Sequence, residues 1–268
     1  LIFTKIFPDI MKGIIHEMWG MRGIIFNFAI SDLKIRYRNS FLGVLWSLVE
    51  PLLLLGVLFF VFSTMFKTET PNFPIYLLVG IITWNFFKNG TTIALSSLKN
   101  RSSIMTQIYF PRSVPGISAG ITASIMLLTE IMVLVFFMVW LEFIPPITML
   151  FLPLVLLLEF VLIIGISLPL SVLNVKYKDI EFIWGIALQA GFFLTPIFYQ
   201  FEMLPESIRQ ILQFSPMVQI ITMAHHVTLY GQIPSFNSLL YAVVSTLMIV
   251  GIGYLIFRKL QLRIVEEI

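Results

Sequence analysis

Six stretches of this chain stay apolar over about 20 residues, the length a helix needs to cross a bilayer. They lie near residues 45–66, 75–98, 114–141, 147–173, 180–199 and 239–257. Runs of that length leave little choice of structure. In hydrocarbon each backbone N–H and C=O must be satisfied within the segment, so each run is expected to be a helix. Charge is correspondingly scarce: 12% of the residues are charged and 58% are hydrophobic, where soluble domains carry about 25% charge. The expected fold is therefore an all-α membrane protein with six transmembrane helices. Residues 1–44 form an N-terminal cytoplasmic segment and residues 45–268 a single membrane domain.

The cations orient that bundle. Fourteen of the 17 Lys and Arg residues fall in the N-terminal segment, the second and fourth connections and the tail. Lys67 and Arg209 are the two on the opposite side, and Lys88 lies within a span. Such an excess marks the cytoplasmic face, so both termini are expected inside. Topology accounts for the net charge of +3, and no nucleic-acid partner is expected. The first apolar run starts near residue 45, so no cleavable leader is expected and the first span acts as its own insertion signal.

Ahead of that span, "DIMKGIIHEMWGMRGIIFNFAI" places polar or small residues at near-helical spacing, with Ile10, Ile14, Met18 and Ile25 on the other face. This is expected to be an amphipathic helix lying in the membrane interface, with Trp19 at headgroup depth. Between the fifth and sixth spans, residues 200–237 are too polar to cross and too apolar for a free loop. Two short helices flanking Ser215-Pro216 are expected there, re-entrant on the outer face. Gly116 and Gly120 have the small-residue spacing of a close helix contact.

Enzyme signatures are missing. No phosphate-binding G-x-x-x-x-G-K-[ST] run occurs. His225-His226 is an adjacent pair whose side chains diverge on a helix, which does not suit a shared metal. With no cysteines, no thiolate chemistry is open. No catalytic residues and no metal site are expected, and no cofactor in this chain. Lys88, Glu130 and Glu159 fall near the middle of the second, third and fourth spans. A charge there costs about 2.5–3.5 kcal/mol on insertion scales, so one network is expected, with Lys88 neutralised by Glu130 or Glu159. Aromatic residues cluster in the first span (Trp46, Phe59, Phe60) and the fifth (Trp184, Phe192, Phe193, Phe198, Tyr199). Flat rings suit a sliding sugar chain, and Pro196 should kink or end the fifth helix. Glu50-Pro51 just inside the first span suits a helix bordering a channel mouth.

Three stretches carry a family resemblance: "DLKIRYRNSFLGVLWSLVEPLL" at 32–53, "NVKYKDIEFIWGIALQAGFFLTPIFY" at 174–199 and "FSPMVQIITMAHHVTLYGQIP" at 214–234. Their order and spacing resemble the membrane (permease) subunit of type-2 ABC exporters for cell-surface polysaccharides such as O-antigen, capsule and teichoic acid. The departures are Lys178 before Asp179, and His225-His226, where that family tends to show arginines. The resemblance implies a homodimer in the inner membrane of a bacterium, two copies of a separate ATP-binding cassette ATPase holding ATP and Mg, and a lipid-linked glycan as cargo. It implies a channel walled by the first and fifth helices, lined by the eight aromatic residues named above. Lys34, Arg36, Tyr37, Arg38 and Glu50 would form the cytoplasmic entrance. Lys99, Arg101, Ile104, Gln107 and Arg112 would touch the ATPase. A drug or lipid exporter of the same fold, a secondary transporter and a membrane enzyme acting on lipid carriers are the competing readings.

Overall fold

The computed structural model describes residues 19–65, 72–105 and 107–261. The part of the amphipathic segment before Trp19 lies outside the described residues. Within them the chain is all helix and turn, with no strand. Helix α1 is Arg22–Tyr37. Helix α2, Trp46–Phe59, widens into a π-helical turn, Phe60–Met65. Helix α3 is Phe73–Ser97, and α4 is the short Ser102–Met105. The long helices α5 (Ser113–Trp140) and α6 (Leu152–Lys176) follow, then α7, Ile180–Leu194. The segment between α7 and the last long helix holds α8 (Glu206–Leu212) and α9 (Pro216–His225), the latter extended by a π-helical turn, His226–Tyr230. Helix α10 is Phe236–Leu260.

Local chemistry sets several of these ends. Lys34 and Arg36 occupy the last turn of α1, where cations complement the helix dipole. Asn72 takes left-handed angles and Pro74 sits in the first turn of α3. Thr195 is extended because it precedes Pro196, so the proline ends α7 at Leu194. Ser235 caps α10, its hydroxyl accepting the Ser238 N–H at 3.1 Å. Two short helices do flank Ser215-Pro216, as the proline leads one to expect.

Four helical stretches are long and apolar enough to cross a membrane: Trp46–Ser63, Ser113–Trp140, Ile147–Lys176 and Phe236–Leu260. The other two expected spans differ. Helix α7 has 15 residues. Helix α3 has 25 residues, but Asn85, Lys88 and Asn89 lower its hydropathy, and nearly every side chain on it is buried. It is the central post of the bundle. The larger apolar core surrounds it, drawing Leu134, Leu162, Ile163 and Ile220 from three other helices. A second core joins Ile25 of α1 to Leu98, Val114, Leu168 and Phe257, gathering the end of α3, the start of α5 and the ends of α6 and α10.

Small residues set the closest approach. Gly165 on α6 faces Gly253 on α10, and a Cβ on Gly253 would overlap the Gly165 carbonyl oxygen. Gly116 and Gly120 also make the expected close contact, since a Cβ on either would meet Leu168 or Phe160 of α6 at 3.3 or 3.1 Å, but the Gly165–Gly253 crossing is tighter.

Candidate functional site

A polar stripe runs down α3. Trp84, Asn85, Lys88, Asn89 and Thr92 recur at three- and four-residue intervals and so share one face. That face opens on a cavity of about 530 Å³. Helix α7 supplies the facing wall with Gly185, Leu188, Gln189, Phe192 and Phe193, again at helical spacing. Leu54 of α2 and Arg36 of α1 complete it. One region of the cavity is aromatic, with Trp84 meeting Phe192 edge-on at 6.1 Å. Phe192, Phe193, Phe198 and Tyr199 continue the rings, each 5.2–6.1 Å from the next. Gly191 lets Trp84 lie against α7, since a Cβ there would meet the indole at 2.7 Å.

Three adjacent polar positions on α3 each reach a different helix. The Asn85 amide donates to Glu130 of α5 at 3.3 Å. Lys88 pairs with Glu50 of α2 at 2.8 Å. The Arg36 guanidinium of α1 donates to the Asn89 side-chain carbonyl at 3.3 Å. The expected pairing of Lys88 with Glu130 or Glu159 is thus corrected. Glu159 of α6 is buried, whereas Lys88 reaches α2 and pairs with Glu50 there. Neither Glu159 oxygen has a hydrogen-bond partner among the described residues.

The sequence-predicted sites divide. Of the eight aromatic residues, Phe192 and Phe193 line the cavity. Trp184 packs beside it, its indole N–H on Thr91 at 3.2 Å. Phe198 bridges to α2's π-helical turn through Phe62, 4.9 Å away. Trp46, Phe59 and Phe60 are exposed along α2 and its π-helical turn and do not line this cavity. Among the cations placed at the entrance, Arg36 turns into the cavity; Lys34 and Arg38 are exposed and Tyr37 is half-buried. Asn85, Asn89, Thr92, Trp84 and Gln189 were not anticipated. Their signal was present as polar residues at i, i+3 and i+4 inside an apolar run.

The residues expected to touch an ATPase also divide. Lys99, Ile104 and Gln107 are exposed. Arg112 is half-buried and donates to the Gln261 carbonyl. Arg101 is corrected: it is buried, paired with Asp32 of α1 at 2.6 Å, donating to the Ser97 and Phe28 carbonyls and lying over the Phe28 ring at 4.5 Å. Burial fixes it as a tie between α1 and the α3–α4 junction. Removing one partner of a buried pair costs about 3–5 kcal/mol, so Arg101→Ala is expected to lower the unfolding midpoint in detergent by roughly 10 °C. An unchanged midpoint would contradict that role.

At the start of α3 a second polar cluster holds α9 to it. Tyr76 stacks on His225 at 3.8 Å and donates to the Tyr199 carbonyl at 2.6 Å. The His225 ring nitrogen shares a hydrogen bond with the Tyr76 carbonyl at 3.0 Å. Burial pushes the His225 imidazole down to about 3, so it is neutral and acts as a packed, bonded strut. No group of metal-ligating side chains occurs among the described residues.

A family profile described as ABC-2 type transporter matches residues 26–229. The chain belongs to the ABC-2 type transporter family. The matched region contains every residue that lines the cavity between α2, α3 and α7. Among curated relatives of this ABC-2 transporter, the O-antigen export system permease protein RfbA of Klebsiella pneumoniae is 29% identical over 250 residues. That match covers 91% of this chain and 96% of the relative. RfbA of Myxococcus xanthus is 26% identical over 261 residues, covering 96% and 100%. The polysialic acid transport protein KpsM of Escherichia coli is 24% identical over 237 residues, covering 85% and 90%. With its long apolar helices, this ABC-2 transporter is a multi-pass protein of the inner membrane.

Proposed function

We propose that this chain is the channel-forming membrane subunit of an ATP-driven exporter of lipid-linked polysaccharide. The observation that carries the reading is the set of relatives named for O-antigen export and polysialic acid transport, aligned over nearly the whole chain. The cavity chemistry supports it. Rings at Trp84, Phe192 and Phe193 stack on sugar faces, and the amides of Asn85, Asn89 and Gln189 meet hydroxyl groups without demanding one pattern. Such a lining holds a polymer weakly at many points, as a conduit must.

In this reading the chain crosses the membrane six times, α3 and α7 counting as spans with their polar faces turned inward. The outer segment is re-entrant and both termini are cytoplasmic. The chain itself catalyses no reaction; ATP and Mg are bound by two copies of a separate ATPase, which docks on the exposed Lys99, Ile104 and Gln107 beside α1. A second copy of this chain closes the channel. Exposed apolar residues on α2 (Leu53, Val57) and α7 (Phe182, Ile183, Ile186) support that pairing, because these are helices that wall the cavity.

Copurification tests the assembly. The full chain, expressed with the ATPase encoded beside it, is expected to bring that ATPase down in equal amount and to raise its ATP hydrolysis in membranes. Recovery of the chain alone, with hydrolysis unchanged, would overturn the reading.

A further inference from the structure

Among the described residues, the two interhelical ion pairs differ in kind. Arg101–Asp32 is buried, with side-chain exposures of 6% and 15%. Lys88–Glu50 is half-open, at 34% and 47%, and opens on the cavity through Lys88. The Glu50 carboxylate takes one of the three Lys88 ammonium donors, which leaves the lysine able to serve the cavity as well. Arg36 is tied to Asn89, the residue after Lys88, which sets both cations against the same turn of α3. Among the described residues, Asn89 is the one side-chain partner of Arg36, leaving most of its five donors unspent. Lys88 likewise spends one donor on Glu50. Two cations with free donors, beside two amides, form a seat for a multivalent oxyanion. The aromatic wall beyond is the surface a sugar attached to that anion would meet.

We infer that Arg36 and Lys88 form the seat of the phosphate group that joins lipid to sugar, and that Glu50 is the counter-ion this phosphate displaces. The inference rests on the export reading and deepens it. Glu50 holds Lys88 until an arriving phosphate takes over its donors, and Glu50 then swings away from the lysine. Glu50 therefore competes with the ligand. Neutralising the lysine weakens anion binding, whereas neutralising the glutamate strengthens it.

The opposite signs make the test. Full-length protein in phosphatidylcholine nanodiscs is titrated with farnesyl pyrophosphate, inorganic pyrophosphate and farnesol, and tryptophan fluorescence is read, Trp84 lying in the cavity wall. Wild type is expected to bind farnesyl pyrophosphate more tightly than either fragment. Lys88→Gln and Arg36→Gln should each weaken it by about tenfold, and Glu50→Gln should tighten it several-fold. None of the three should change the response to farnesol. Glu50→Gln and Lys88→Gln weakening binding together would show a merely structural bridge and overturn the seat. Inorganic pyrophosphate binding as tightly as the prenyl ester, or displacement of the probe by phosphatidylglycerol placed in the disc, would overturn the lipid–sugar assignment. Failure here with the ATPase still bound removes the seat and leaves the export reading standing; loss of ATPase binding removes the reading itself.

Discussion

Gly253→Leu is expected to abolish the folded protein or lower its unfolding midpoint by more than 10 °C, the largest effect of any single change in the bundle. Helix α10 buries one stripe, Ala242, Thr246, Val250, Gly253 and Phe257, recurring every three or four residues. The stripe presses on α6 where Gly165 lies, and a Cβ on Gly253 would overlap the Gly165 carbonyl oxygen. Backbone cannot give way as a side-chain tip can. Between lipid-facing helices no hydrophobic gain offsets a wider separation, since association there rests on close packing. Overpacking a tight core costs about 1–3 kcal/mol and often more. Gly56→Leu is the matched control, because a Cβ at Gly56 meets nothing within 4 Å. Fluorescence-detected gel filtration with thermal challenge reads both variants, and equal stability of the two would contradict the account of the crossing.

Gly185→Trp is expected to stop export while leaving the fold intact. Gly185 lines the cavity, and a Cβ there meets nothing within 4 Å. An indole at this position projects from the α7 wall into the cavity opposite α3. Replacing a mid-helix glycine also favours α7 slightly. Surface polysaccharide should fall roughly tenfold or more, as narrowing a conduit does, with expression and ATPase copurification unchanged. Gly185→Ala should export normally. Full export by the tryptophan variant would show that the cargo does not pass between α3 and α7.

Both predictions rest on features that the sequence shows unequally. Helical runs and the break at Ser215-Pro216 were legible because they are local: length and proline chemistry act within a few residues. The end of α7 at Pro196 was legible for the same reason. Which way a helix turns is not local. Lys88 was expected to meet Glu130 or Glu159 because all three share a depth, yet its azimuth on α3 sends it to Glu50. Arg101 reads as a surface cation in a basic connection, but Asp32, 69 positions earlier, draws it inside. The Gly165–Gly253 contact needs two distant helices to meet, so single glycines in each gave no warning. The stripe Asn85, Lys88, Asn89, Thr92 was visible in the sequence, and its helical spacing marks a wet face.

Transport itself gives the most direct test. The chain and its neighbouring ATPase are reconstituted in liposomes loaded with a lipid-linked glycan, and externally added glycosidase reports glycan that has crossed. The account predicts that ATP, and not a non-hydrolysable analogue, exposes the glycan over repeated turnovers, and that Gly185→Trp blocks this while ATP hydrolysis persists. An assembled complex that hydrolyses ATP while the glycan stays protected would contradict it.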